Sequence, residues 1–386
     1  MRKAIKWAAI LAALALYATG AVFFASNTTI FRLYRSSGSA NVRYERATVE
    51  AIEREELDAD EEHGGLLTGY QDLLVRISSG ERAGTELRIE NVLNYTTHFL
   101  LKKGQSIVVH VDTADSTHYT VSVYSVDRAP ALIALALLFV AALCGIGGRR
   151  GFRSLLGMLF TIASIVCVFI PLLYRGCSPI LAASVMAAAT VSISLLLLAG
   201  PTAKSASAIA GSIAGMLLSA AIAYAFQSFT QISGYTTAEA DSLLAIAGGT
   251  GMKVGELLFA AFLISTLGAE MDISISVASA VAEVHAGNSG LDRAALFRAG
   301  MNVGRDMMGA MANTLILAFA GSALNSMILI YSIERSANQI FNSNAVVIEI
   351  VQSLSAGLAV IVTVPAVAFC SALLLSRSTV HDIIEP

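Results

Sequence analysis

The sequence predicts an α-helical polytopic membrane protein of about eight transmembrane helices, with a small extracytoplasmic β-barrel, OB-like in strand number, inserted near its start. Two observations predict this. Of the 386 residues, 55% are hydrophobic and only 14% charged, with a mean hydropathy of +0.69, whereas soluble domains carry about a quarter charged residues. Charge is also uneven, dense between residues 41 and 128 and sparse elsewhere. The net charge of −3 sums over two environments and identifies no partner, and the absence of a basic tract excludes nucleic acid.

A helical span needs about 20 mostly apolar residues. Eight stretches meet this, at 7–25, 130–147, 155–174, 179–199, 206–227, 255–281, 304–325 and 345–375. The first follows MRKAIK and reads as a retained anchor, since AVFFASN matches a signal-peptide cleavage site only loosely. The chain thus divides into an anchor (1–26), an extracytoplasmic β-rich domain (27–128) and a seven-helix bundle (129–380). With the N-terminus inside, Arg2, Lys3, Lys6, Arg149, Arg150, Arg153, Lys204, Arg293, Arg298, Arg305 and Arg377 fall on the cytoplasmic side. Only Arg175, Lys253 and Arg335 then lie in short outer loops. Basic residues collect on the cytoplasmic side, so both termini are predicted inside. The apolar stretch 326–333 is too short to span and either extends the seventh helix or lies at the outer interface.

In the insert, residues 42–53, 71–79, 85–93, 106–112 and 119–127 alternate apolar and polar side chains, as strands do. Five short strands in so few residues suit a small closed barrel. EREELDADEEH (53–63) holds seven acidic residues and one Arg; it lacks EF-hand spacing and reads as a solvated loop. His63, His98, His110 and His118 show no metal-ligand spacing. Cys144, Cys167 and Cys370 lie in apolar runs and Cys177 in a connection, which reads as buried small side chains rather than redox chemistry.

Two stripes stand out in the spans. Ser207, Gly211, Gly215, Ser219 and Ala223 recur every four residues, a narrow face that lets another backbone approach closely, in tight packing or in a sliding interface. Asn302, Asp306, Ala310 and Asn313 share one face of the seventh span, with Arg305 beside them. Glu270 and Asp272 in the sixth span, followed there by Ser274, Ser276 and Ser279, and Glu349, Gln352 and Ser353 in the eighth complement them. Asp272 and Asn313 are expected deep, and Arg305 and Asp306 nearer the cytoplasmic interface. Ionisable groups within spans are costly and usually functional. The expectation is therefore a polar path formed by the last three helices from Asp272, Asn302, Arg305, Asp306, Asn313, Thr314, Glu349 and Gln352.

GAEMDISISVAS (268–279), AGMNVGRDMMGAMANTLILAFAG (299–321) and IEIVQSLSAGLAVIVTVPAVAF (348–369) resemble the YibE/F-like family of bacterial multi-span membrane proteins. The resemblance runs from about residue 70 to the end. It is carried by Gly268, Ala269, Met271 and Asp272 in the first block. In the second it is carried by Gly300, Asn302, Gly304, Arg305, Asp306, Asn313 and Thr314. Glu270 stands where the pattern would hold an apolar residue. The resemblance implies a bacterial plasma-membrane protein and names no substrate.

The predicted function is a secondary transporter or ion-coupled permease, with Asp272 and Asp306 as proton or cation sites. The alternative is a non-transporting protein of envelope assembly or sensing whose outer β-domain binds a partner. The partners expected are the lipid bilayer, a proton or cation, and an envelope protein or a second copy of the chain. No enzyme is predicted, since HExxH and G-x-S-x-G are absent, and no cofactor, since there is no Walker A loop.

Overall fold

The computed structural model describes residues 42–112, 119–332 and 336–376. The predicted first span, with Arg2, Lys3 and Lys6, lies outside the described residues, as do His118, Arg335 and Arg377. Two compact units divide within one helix, between Ala142 and Leu143.

The first unit is a five-stranded antiparallel sheet of order β3-β2-β1-β4-β5. Its strands are β1 (Val42–Asp60), β2 (Leu66–Ile77), β3 (Glu86–Leu93), β4 (Ser106–Asp112) and β5 (Thr120–Val126). Period-2 alternation turns Ala47, Val49, Leu73, Val75, Ile89, Ile107, Val109 and Val111 to one concave face, where they bury around Leu101. β3 and β5 approach each other without ladder hydrogen bonds, so the unit is a half-barrel rather than the closed barrel expected. At its centre the wholly buried Gln71 uses both ends of its amide. Oε1 accepts from Leu101 N (3.0 Å) and Asn91 Nδ2 (3.1 Å), and Nε2 donates to Leu101 O (3.2 Å) and Glu55 Oε2 (2.6 Å). This network fixes the 94–105 connection against the sheet.

The acidic stretch 53–63 corrects the expectation of a loop. β1 runs on to Asp60 because Arg54 to Asp60 are in ladder register with Leu66 to Asp72 of β2 across a long hairpin, and only Glu61, Glu62 and His63 of the stretch lie in the turn. Glu53 pairs with Arg88 (2.9 Å), Arg54 with Glu56, and Asp60 accepts from Tyr95 Oη (2.7 Å) beside His63 Nδ1 (2.8 Å). The Tyr95 hydroxyl first, and then His63, hold the Asp60 carboxyl below the usual carboxylate range.

The second unit is helical. It begins within α1 (Ala129–Ser164), whose residues up to Ala142 fall in the first unit, and continues with a π-helical turn (Ile165–Phe169) and α2 (Ile170–Tyr174). α3 (Pro179–Ala199), α4 (Ala203–Thr230) and α5 (Ala240–Thr250) follow, then α6 (Leu257–Gly287) and α7 (Arg293–Ser322). α8 (Leu324–Ser332), α9 (Ala337–Phe341) and α10 (Asn344–Leu375) complete it. Gly148 (φ 53°, ψ −133°) is non-helical and breaks α1 between two predicted spans. The chain folds back so sharply there that a Cβ on Gly151 would meet the Leu143 carbonyl. Only glycine adopts this backbone without strain.

Among the described residues, five helical stretches are long and apolar enough to cross a membrane, or six if α7 and α8, bent by 59°, count as one. Residues 326–332 of the predicted apolar stretch form most of α8, which follows α7 at this bend rather than continuing it straight. α10 is the hub and packs on α4, α7 and α6, while α3 lies against α6. Thr202 Oγ1 accepts from Ser205 N (3.3 Å) to cap α4, and Asp292 Oδ1 accepts from Ala295 N (2.8 Å) to cap α7.

Two outcomes test this fold. Gln71→Leu strands the Leu101 amide and the Asn91 side chain and should destabilise the sheet by about 1–3 kcal/mol. Faster hydrogen exchange over residues 94–105 of the full chain would report it. Tyr95→Phe should raise the Asp60 pKa toward its ordinary value. A carboxyl with a lowered folded pKa adds stability above the usual range and loses it as pH falls through the lowered value. Acid loosening of the hairpin tip in Tyr95→Phe should hence begin at a higher pH, measured as pH-dependent exchange over residues 58–66. An unchanged onset would remove Tyr95 as the cause.

Candidate functional site

The small-residue stripe of α4 meets α10 backbone to backbone. A Cβ on Gly211 would collide with Val367 Cα, and one on Gly215 with the Thr363 side chain and Cα. Nearer the helix ends Ser371 Oγ donates to Ser207 Oγ (3.3 Å). Ser207, Gly211, Gly215 and Ser219 are all buried, and the antiparallel register is 207 with 371, 211 with 367 and 215 with 363.

Into this seam α6 extends Glu270. Its side chain is 0% exposed. Oε1 accepts from Ser219 Oγ (2.8 Å), Thr266 one turn back faces the same carboxyl, and Oε2 has no partner among the described residues. A void of about 10 Å³, the smallest that holds a water, lies alongside. Ser219, Thr266, Gln352 and Ser355 line it with Ala223, Phe262 and Leu263. Polar groups continue along the seam in both directions. Gln227 lies two turns beyond Ser219 with a buried Oε1 that has no partner among the described residues. On the other side Ser274, Thr363 and Ser212 bury hydroxyls without partners among the described residues.

This arrangement accommodates either charge state of the carboxyl. As a carboxylate, Glu270 accepts the Ser219 proton. As an acid it donates to Ser219 Oγ, whose own proton then turns to the Gly215 carbonyl (2.9 Å). A buried carboxyl whose neighbour serves both states can gain and lose a proton without leaving a polar atom stranded.

The stripe predicted on α7 goes elsewhere. Leu296, Gly300 and Gly304 are buried, and Met308, Met311 and Leu315 continue that face against α6 and α10. A Cβ on Gly304 would strike Val364, and one on Gly300 would strike Val281 and Ala368. The glycine and methionine face thus turns inward, and Asn302, Arg305, Asp306, Asn313 and Thr314 on the other side are exposed. Thr314 Oγ1 bonds its own helix at Ala310 O (2.9 Å). Asp272, two residues beyond Glu270 and so about 200° round α6, is exposed too. Arg305 and Asp306 sit close to the midpoint of α7, which falls between Met307 and Met308.

Of the predicted path, only Gln352 joins the buried seam. Glu349, one turn earlier on α10, lines with Ser353 a separate cavity of about 540 Å³, whose other walls include Ile316, Met327, Tyr331 and Phe341. Sequence reasoning noted Glu270 beside Asp272 but left it out of the path, and it passed over two buried groups: Gln227 and His285, which is buried near the end of α6 with Nδ1 unpartnered among the described residues. For Gln227 a signal existed, since it extends the four-residue repeat of α4 by one step beyond Ala223.

The fold and seam define a class: a helical protein with membrane-length apolar helices and a buried carboxyl at a close helix crossing. The chain belongs to the YibE/F-like family, whose model matches residues 135–377. The match covers the helical unit and begins beyond the sheet, later than the resemblance read from the sequence. Neither curated proteins nor solved structures give a match.

Gly215→Ala should force α4 from α10 and cost about 1–3 kcal/mol, as overpacked cores do. Gly249→Ala on α5, with nothing within 4 Å of the added carbon, should be silent. Thermal unfolding of the two variants in one detergent distinguishes them.

Proposed function

We propose that the helical unit spans the plasma membrane and works as an ion-coupled permease, with Glu270 as its proton or cation site. The observation that carries this is a fully buried carboxyl, half satisfied by a hydroxyl that serves both its charge states, within a seam of polar side chains. Ionisable groups inside spans mark ion paths and proton relays more often than structural posts. Glu270 lies near the middle of the Val254–Gly287 apolar stretch, where coupling sites of secondary transporters are found. The ion site moves from the predicted Asp272 and Asp306 to Glu270 because only Glu270 points between helices.

The topology follows the same reading. The break at Gly148 divides a 46-residue stretch, which at 1.5 Å per residue is about 69 Å long, more than twice a bilayer's hydrocarbon core. It therefore counts as two spans, giving seven in the bundle and eight with the predicted first span. Both termini are then cytoplasmic and the sheet lies outside. The strand order, with β1 between β2 and β4 and with β3 approaching β5, supports an OB-like reading of the half-barrel.

Proton uptake into sealed vesicles under an imposed gradient tests the function. Wild type should exceed empty vesicles, Glu270→Gln should fall to their level while remaining folded, and Asp272→Asn should retain the flux. Wild-type flux in Glu270→Gln would reject Glu270 as the site. Wild-type flux no greater than that of empty vesicles would reject transport and put the envelope-partner reading first.

A further inference from the structure

The outward face of α6 and α7 is the opposite of what a lipid-facing surface should be. Asp272, Asn302, Arg305, Asp306 and Asn313 are exposed on it. No side-chain hydrogen bond or ion pair joins them to any described residue. They do not cluster at helix ends. Asp272 is the middle residue of Leu257–Gly287, and Gly304, beside Arg305, packs on Val364, close to the centre of Asn344–Leu375. Facing lipid at that level, each charge costs about 3 kcal/mol or more. The face also has room for a neighbour: Gly268 and Gly309 have nothing within 4 Å in front of them. Small residues flanked by polar ones form close helix contacts in membranes.

We infer that this face is covered by a second copy of the chain, across a two-fold axis running along α7, in which Arg305 of each copy pairs with the partner's Asp306. The inference rests on the membrane-spanning part of the proposed function and is independent of ion coupling. Charge complementarity selects this occupant. The other apolar stretches, 129–147, 154–174 and 179–199, contain no Asp, Glu, Lys or Arg, and neither does the predicted first span at 7–25. None of them can neutralise an Arg and an Asp on the same face. The face itself can, because it carries both signs on adjacent residues, about 1.5 Å apart in rise and 100° apart around the helix. A two-fold contact places the same patch on both sides, so each guanidinium comes level with a carboxylate of the other copy. With five N–H donors it can also serve the nearby Asp272 carboxyl.

The test uses the full chain in nanodiscs with excess lipid, with Cys144, Cys167, Cys177 and Cys370 replaced for crosslinking. Wild type should have the mass of two chains, and Gly309→Cys should form a covalent dimer. Leu217→Cys, also exposed but on α4, should not. Arg305→Asp and Asp306→Arg should each be monomeric alone, whereas the two variants co-expressed under different tags should form a mixed pair, because each supplies the charge the other lacks. A monomeric wild type in the bilayer would overturn the inference. So would equal crosslinking at Leu217→Cys, or single charge variants that still self-associate. A monomer in which Gly309→Cys crosslinks to a cysteine placed within residues 7–25 would assign the face to the first span instead. Capture of a different chain at Gly309→Cys without a self-dimer would also overturn it. Loss of flux in Glu270→Gln with the dimer intact would separate this contact from ion coupling, and a chain soluble without detergent would reject the membrane reading itself.

Discussion

The helical unit depends on the close approach of α4 to α10. Gly211 and Gly215 leave no space for a Cβ against Val367 and Thr363, so the two backbones lie nearly in contact over several turns. Such packing leaves no room for large side chains, and the polar groups along it are mostly hydroxyls: Ser207, Ser212, Ser219, Thr363 and Ser371. A carboxyl can enter only from a third helix, at a level where the stripe offers a hydrogen-bonding residue instead of glycine. Ser219 is that residue, one turn beyond Gly215, and Glu270 of α6 meets it there. The position of this acid, the one buried among the described residues of the helical unit, follows from the spacing of small residues on a different helix.

α6 carries two acids two residues apart in opposite surroundings. Glu270 is sealed among α4, α6 and α10, whereas Asp272 is exposed beside α7. Neither chemical type nor depth separates them, since both lie near the middle of one apolar helix. Helical geometry alone assigns one to the interior and the other to the outer surface. The same division holds on α7, where Gly300 and Gly304 bring Val281, Val364 and Ala368 close and turn Arg305 and Asp306 away from the bundle. Small residues, rather than polar ones, decide which face of each helix is inside.

Much of this was legible in the sequence. The strands, the apolar stretches from residue 129 onward and the packing stripe of α4 follow from period-2 alternation, run length and four-residue spacing, all local signals. What did not follow was which stripe turned inward on α7. Two faces competed, Asn302, Asp306 and Asn313 against Leu296, Gly300 and Gly304. The rule that intramembrane polar groups face inward favoured the first. Burial followed the second, because closeness of approach depends on side-chain size and the sequence carries no record of the neighbour's shape. The acidic hairpin misled for a related reason: a run of charges resembles a loop unless the facing strand is known, and Leu66 to Asp72 supply that strand.

The hydroxyls of the seam set a limit on what could replace Glu270. A glutamine keeps the length and can accept from Ser219 through its carbonyl, but its two amide protons then need acceptors where the carboxylate had none to place. An aspartate keeps the charge and is shorter by one methylene, so it withdraws from Ser219 by about an ångström and leaves a buried charge less well satisfied. A leucine removes the charge and its desolvation cost, and replacing a buried ionic group by an apolar one of similar size is often neutral or stabilising. If Glu270 were only a structural post, the Glu270→Leu chain would unfold earlier than wild type, because the Ser219 hydroxyl would lose its bond to the carboxyl. If the acid is retained for its titration, Glu270→Leu should melt at the same temperature or higher and carry no flux. Melting temperature and proton flux measured on the same preparation therefore separate a group kept for stability from one kept at the expense of stability.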